Sequence, residues 1–76
     1  MKDLITYIVK ALVDNPDKVE IKELAGEKSI IYELRVGEGD LGKVIGKEGR
    51  TAKAIRTIIT AAAMKQGKRT VIEIIE

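Results

Sequence analysis

The stretch GKVIGKEGR, residues 42–50, packs three glycines, three basic side chains and one acid into nine positions. An apolar alternating segment precedes it, and a longer segment of helical spacing comes after it. Gly46 and Gly49, three apart, allow a sharp turn and leave the backbone bare. Three readings compete: a cradle for a nucleotide phosphate, a plain turn between helices, or a grip on a longer anion. The flanking elements and the placement of charge decide among them.

Upstream, Leu4, Ile5, Ile8, Val9, Ala11 and Leu12 follow helical spacing and predict an amphipathic helix over residues 2–14. Asn15-Pro16-Asp17 ends it, because proline disfavours helix at the residue before it. Residues 18–24 read as a strand, with Val19 and Ile21 opposite in facing to Glu20 and Lys22. A short turn holding Gly26 leads to a second strand over residues 29–36. There Ile30, Tyr32, Leu34 and Val36 form one face, and Glu33 and Arg35 the other. So short a connection makes the pair an antiparallel hairpin. Residues 41–45 have room for about one helical turn, with Asp40 before them as its expected cap. Residues 50–66 form the longest helix, with Ala52, Ile55, Ile59, Ala62 and Gln66 on one face and Ile58 beside them. Gly67 closes that helix, and residues 69–75 are a last strand. The fold class is α+β, in the order α-β-β-α-α-β. Three helices are expected on one face of a three-stranded sheet, mixed if the last strand runs parallel to a neighbour. The order of strands does not follow from this reasoning.

Seventy-six residues make one domain, covering 1–76. With 45% hydrophobic and 34% charged residues, the chain has the composition of a folded soluble protein. It has no Phe or Trp, so the core is aliphatic. The absence of His and Cys removes disulfides, thiol chemistry and the usual general base. No catalytic residue, metal site or cofactor is expected. Residues 1–15 are too short and too charged for a secretory signal, and no apolar run approaches the ~18 residues of a membrane span. The expected compartment is the cytoplasm, without a membrane partner. Charge is strongly segregated: residues 1–42 carry net −3, and residues 43–69 carry eight basic side chains against one acid, net +7. Clustered positive charge is the footprint of an anionic partner.

Two nucleotide motifs lie in the glycine region, and both fail. Residues 37–42 match GxGxxG after a strand and before a helix. Glu38 and Asp40 would set two carboxylates where a pyrophosphate sits, and no acid lies about 20 residues on. Residues 37–43 match GxxxxGK, but Val44 replaces the hydroxyl that would meet magnesium. The GKEG turn itself is better suited to an anion. It feeds the start of a helix whose free N–H groups attract negative charge. Lys43, Lys47, Arg50, Lys53 and Arg56 surround it, opposed only by Glu48.

The segment VIGKEGRTAKAI, residues 44–55, resembles the K-homology (KH) signature: an apolar pair, a GxxG loop and an amphipathic helix. The element order is similar to the type II KH arrangement. The whole chain resembles the small bacterial single-KH-domain RNA-binding proteins of the KhpA type. One position departs from the pattern: Ala52 stands where KH domains often carry a bulky aliphatic residue, which reshapes the apolar groove without affecting the fold.

The resemblance implies a non-enzymatic binder of single-stranded RNA, acting as a post-transcriptional regulator or RNA chaperone. By that resemblance Gly46 and Gly49 permit close approach, Lys47 and Arg50 meet phosphates, and Glu48 points to solvent. Lys43 and Lys53 flank the track, while Leu41, Val44 and Ile45 supply part of an apolar platform. Lys65, Lys68 and Arg69 form a second basic rim. The resemblance also implies a homodimer, or a heterodimer with a larger Jag-type KH protein. Ala54, Thr57, Ala61 and Met64, away from the core face of the long helix, are the candidate dimer surface. The alternative function is a protein-interaction module that works mainly through such dimerisation.

Overall fold

The computed structural model describes residues 1–75. Helix α1 (Lys2–Leu12) buries Ile5 and Val9, one turn apart, and carries Asp3 in its first turn and Lys10 in its last, both complementing the helix dipole. It ends two residues earlier than its apolar spacing suggests, because Val13 is already extended. Pro16–Lys18 forms a short 3-10 turn with proline at its start. This turn takes Lys18 out of the first strand, so β1 is Glu20–Ala25. Strand β2 is Ser29–Arg35. Helix α2 is Leu41–Ile45, helix α3 is Arg50–Lys65 and strand β3 is Arg69–Ile75. The expected α-β-β-α-α-β order is what the structure shows.

The sheet order is β1-β2-β3. β1 pairs antiparallel with β2, setting Ile21 opposite Leu34 and Glu23 opposite Tyr32. β3 pairs parallel with β2, setting Ile72 beside Tyr32. The sheet is therefore mixed, and the parallel pair exists because α2 and α3 together form the crossover that parallel strands require. Ile30, Tyr32 and Leu34 of β2 and Ile72 of β3 point to the helices and are buried with Ile5, Val9, Val44, Ile55 and Ile59. Burying each such aliphatic side chain stabilises the fold by roughly 2 kcal/mol. The other face of the sheet holds the cross-strand row Leu24, Ile31 and Val71, of which Leu24 and Val71 are exposed.

Helix α3 corrects one detail of the periodicity. Its buried residues are Ala52, Ile55, Ile59 and Ala63, spaced 3, 4 and 4 as one narrow helical stripe requires. Ala62 sits at the margin of that stripe, Gln66 is exposed, and Ile58 is 50% exposed. Two adjacent isoleucines are about 100° apart around a helix, so both cannot face one core. The helix closes as expected at Gly67: at φ +70° it lets Lys68 N–H reach Ala63 O at 3.1 Å and Gly67 N–H reach Met64 O at 3.0 Å.

Candidate functional site

The GKEG turn joins α2 to α3, and its two glycines do different work. Gly46 ends α2, donating its N–H to Gly42 O at 2.8 Å. Its φ of 76° and ψ of 174° lie in a region essentially reserved for glycine. A Cβ there would strike the Thr51 hydroxyl and stand 2.7 Å from Thr51 Cβ. Gly46 is thus the point where α2 folds tightly against the first turn of α3. Gly49, at φ 74° and ψ 11°, is left-handed, but nothing lies within 4 Å of where its Cβ would be. It leaves an open patch of bare backbone. Glu48, between them, is also left-handed at φ 57°.

The side chains of the turn face water. Lys47 is exposed, and Arg50 and Glu48 form a loose, exposed ion pair at 3.5 Å. Lys53 and Arg56, exposed on one flank of α3, line a shallow groove with Thr57, Thr60, Ala61 and Met64. A second groove, sharing Thr60 and Met64, continues past Gly67 to Lys68, Arg69 and Thr70. The Thr70 hydroxyl beside it is buried and makes no hydrogen bond. Lys53 and Arg56 near the turn and Lys68 and Arg69 past the far end of α3 thus border two adjoining grooves.

Lys43 is held differently. Its ammonium lies 2.9 Å from Asp14, at the end of α1. Hydrogen bonding to Asp14 and that residue's charge raise the Lys43 pKa, against the opposing effect of burial and with help from Asp40. Lys43 is therefore a cation already partly answered.

Asp40 also departs from its expected role. It stands at the cap position of α2 but makes no side-chain cap bond. Its carboxylate turns away and accepts the N–H of Asp14 at 3.2 Å, the N–H of Asn15 at 3.0 Å and the Asn15 side-chain amide at 3.2 Å. Those donors are free because α1 has ended and Pro16 prevents the helix from continuing. Three well-placed donors outcompete a single N–H at the start of a five-residue helix. Burial works to raise the Asp40 pKa, but the hydrogen bonds from Asp14 and Asn15 and the charge of Lys43 outweigh it, and the carboxyl ionises below its ordinary value.

The three apolar residues expected beside the turn are not equally exposed. Val44 is fully buried in the core and offers no surface to a ligand. Leu41 and Ile45 are half-buried and remain available. Ala54, Thr57, Ala61 and Met64 all lie on the solvent face of α3, with Met64 71% exposed. Ala52 is buried, inside the stripe that faces the sheet. Thr51 and Asp14, which shape the turn and occupy Lys43, carry no local sequence signal for those roles. Among the described residues no cluster of acids could hold a metal ion, and no helix is long and apolar enough to cross a membrane.

The KhpA/KhpB, KH domain family matches residues 2–74. The RNA-binding protein KhpA of Clostridium acetobutylicum is 61% identical over 75 residues, covering 99% of this chain and 100% of that protein. The protein of the same name from Aquifex aeolicus is 55% identical over 76 residues, covering 100% of this chain and 96% of its own. That of Chlamydia trachomatis is 53% identical over 76 residues, covering 100% and 97%. No solved structure matches the chain. The glycine turn, the α-β-β-α-α-β order and these full-length likenesses converge: the chain belongs to the KhpA/KhpB family of KH domains.

Proposed function

We propose that the protein binds single-stranded RNA through the GKEG turn, gripping the backbone of about four nucleotides. Its relatives carry the name RNA-binding protein, and the family is not one of enzymes. The observation that carries the reading is the open patch at Gly49, with Lys47 and Arg50 exposed on either side of it. Phosphates meet bare N–H groups at the start of α3 and those two cations. Lys53 flanks the track directly, and Lys43 does so once its pairing with Asp14 is shared. Leu41 and Ile45 provide the apolar contact for bases. Tyr32 is buried, which leaves Tyr7, on α1, as the exposed aromatic ring. Without stacking rings at the turn, base selection is permissive. A protein of this kind serves in the cytoplasm as a post-transcriptional regulator or RNA chaperone.

The test changes Lys47→Asp and Glu48→Asp together, which keeps both glycines and reverses the charge. Binding to a short single-stranded RNA should be lost, with the circular-dichroism spectrum unchanged. Wild-type affinity should fall with salt at a slope of about −0.7 per phosphate neutralised. A charge-reversed turn that still binds at moderate salt would sink the reading.

A second reading is favoured by the solvent face of α3, where Met64 and half-exposed Ile58 accompany Ala54, Thr57 and Ala61. Small residues let a second helix approach closely, so a homodimer, or a heterodimer with a larger Jag-type KH protein, would form there. Light scattering across a concentration series decides it: a stable dimer indifferent to RNA favours interaction as the main function, and a strict monomer that binds RNA tightly counts against it.

A further inference from the structure

Asp40, 1% exposed, is the buried charged side chain among the described residues, and contact with RNA gives it no role. It lies six residues before the GKEG turn, at the start of a helix of only five residues. Such a helix cannot hold itself in place: it is shorter than any helix stable alone, and it sends one fully buried side chain, Val44, into the core. Its position is set at its two ends. The far end rests on Thr51 through Gly46. The near end rests on the chain leaving α1, and three separate contacts meet there. The Asp40 carboxylate takes three N–H donors from Asp14 and Asn15. Lys43, one turn later, pairs with Asp14. Gly37 packs so tightly on this segment that a Cβ would stand 3.0 Å from Lys18 Cβ and 3.4 Å from Asn15 Cβ.

We propose that Asp40 is a positioning residue for the GKEG turn: by fastening the start of α2 to Asp14 and Asn15, it sets where Lys47 and Arg50 meet an RNA backbone. The inference rests on the RNA-binding reading but adds to it a residue that touches no nucleotide. A carboxylate suits the task. Its two oxygens accept from two successive backbone N–H groups and an amide at once, and charge-assisted bonds of this kind are about twice as strong as neutral ones. α1 and the turn after it thereby become part of the binding end of the molecule.

The test is Asp40→Asn, which keeps shape but turns one acceptor into a donor facing the donors of Asn15. Two quantities are read: affinity for a single-stranded oligouridine across a salt series, and amide hydrogen exchange along the chain. Under conditions where the variant gives the wild-type circular-dichroism spectrum, binding should weaken about tenfold, as for a site whose supporting shell is loosened. The salt slope should flatten by about 0.7, one phosphate contact. Exchange should quicken at residues 47–50 while Ile55 to Ala63 stay protected. A residue that serves only stability would quicken exchange everywhere and leave the slope of the folded protein unchanged, which overturns the proposal. If Asp40→Asn does not fold, Asn15→Ala removes only the side-chain amide bond and should give the same pattern more weakly. Loss of binding in the charge-reversed turn with wild-type affinity in Asp40→Asn rejects the positioning role and keeps the RNA reading. A wild-type protein that ignores RNA rejects that reading, and the exchange pattern at 47–50 then decides the role of Asp40 alone.

Discussion

The backbone of Gly46 lies against the hydroxyl of Thr51, so close that no side chain fits between them. The neighbouring glycine of the motif, Gly49, has open space on its side. Both have positive φ, yet they are required for different reasons.

This difference predicts unequal substitutions. Gly49→Ala costs about 1 kcal/mol, the ordinary penalty of a left-handed L-residue. Gly49→Asn costs less, because asparagine tolerates that conformation. Gly46→Ala adds a steric clash to a backbone region that is almost exclusive to glycine, and should cost about 3 kcal/mol or more. For a domain of 76 residues that is a large part of the total stability. Adding Thr51→Gly should recover some of the loss in Gly46→Ala and none in Gly49→Ala. Urea denaturation of the set checks the order.

The Lys43–Asp14 pair predicts a variant with improved binding. Asp14→Asn leaves the backbone N–H that Asp40 uses and releases the ammonium of Lys43. The pair is exposed, so stability should change by less than about 1 kcal/mol. Affinity for single-stranded RNA should rise about threefold at low salt, with a steeper slope by up to about 0.7. Fluorescence anisotropy across a salt series measures both. Unchanged affinity and slope would show that Lys43 takes no part in the track.

Tyr32 predicts a sensitivity to alkali. Its hydroxyl is buried with no hydrogen bond of good geometry, and Glu23, opposite on the neighbouring strand, reaches it only loosely. Burial first, and then the Glu23 carboxylate, raise its pKa from 10.0 to about 12. The folded state therefore holds this proton more tightly than the unfolded state. The contribution is complete below pH 10 and is lost as pH rises from 10 toward 12. Tyr32→Phe removes both the titrating group and the poorly bonded hydroxyl. The variant should be more stable by about 1 kcal/mol at pH 7, and its stability should fall less between pH 7 and pH 11. Urea midpoints at the two values check it.

Much of this architecture is legible in the sequence because it rests on local rules. Alternation marks β2, helical spacing marks α1 and α3, and Gly67 marks the end of α3. The charge step near Lys43 and the GxxG spacing mark the turn between α2 and α3. What escapes is whatever depends on contact between distant segments. Asp40 before a helix looks like a cap, and only the fold brings it the donors of Asp14 and Asn15, 26 and 25 residues away. Lys43 looks free until α1 delivers Asp14. Val44 looks like platform until the crossover of α2 and α3 turns it into the core. Periodicity picks Ile55 and Ile59 of α3 correctly but drifts toward its end, where Ala63 is buried in place of Ala62 and Gln66.

Asp40 gives the last prediction, in acid. The Asp14 and Asn15 hydrogen bonds and Lys43 hold its pKa below the ordinary 3.8 in spite of burial. The folded state thus binds this proton less readily than the unfolded state does. The resulting stabilisation is present above about pH 4 and disappears as pH falls through the lower, folded value. Asp40→Asn lacks the titration. The other carboxylates are common to both proteins and cancel in the difference. The stability gap between wild type and Asp40→Asn should therefore be constant from pH 7 to about pH 5 and should narrow below pH 4. Denaturation midpoints of the two proteins across that range measure the gap. A gap that stays constant down to pH 2 would mean that the carboxylate's charge is not what binds the start of α2 to the end of α1.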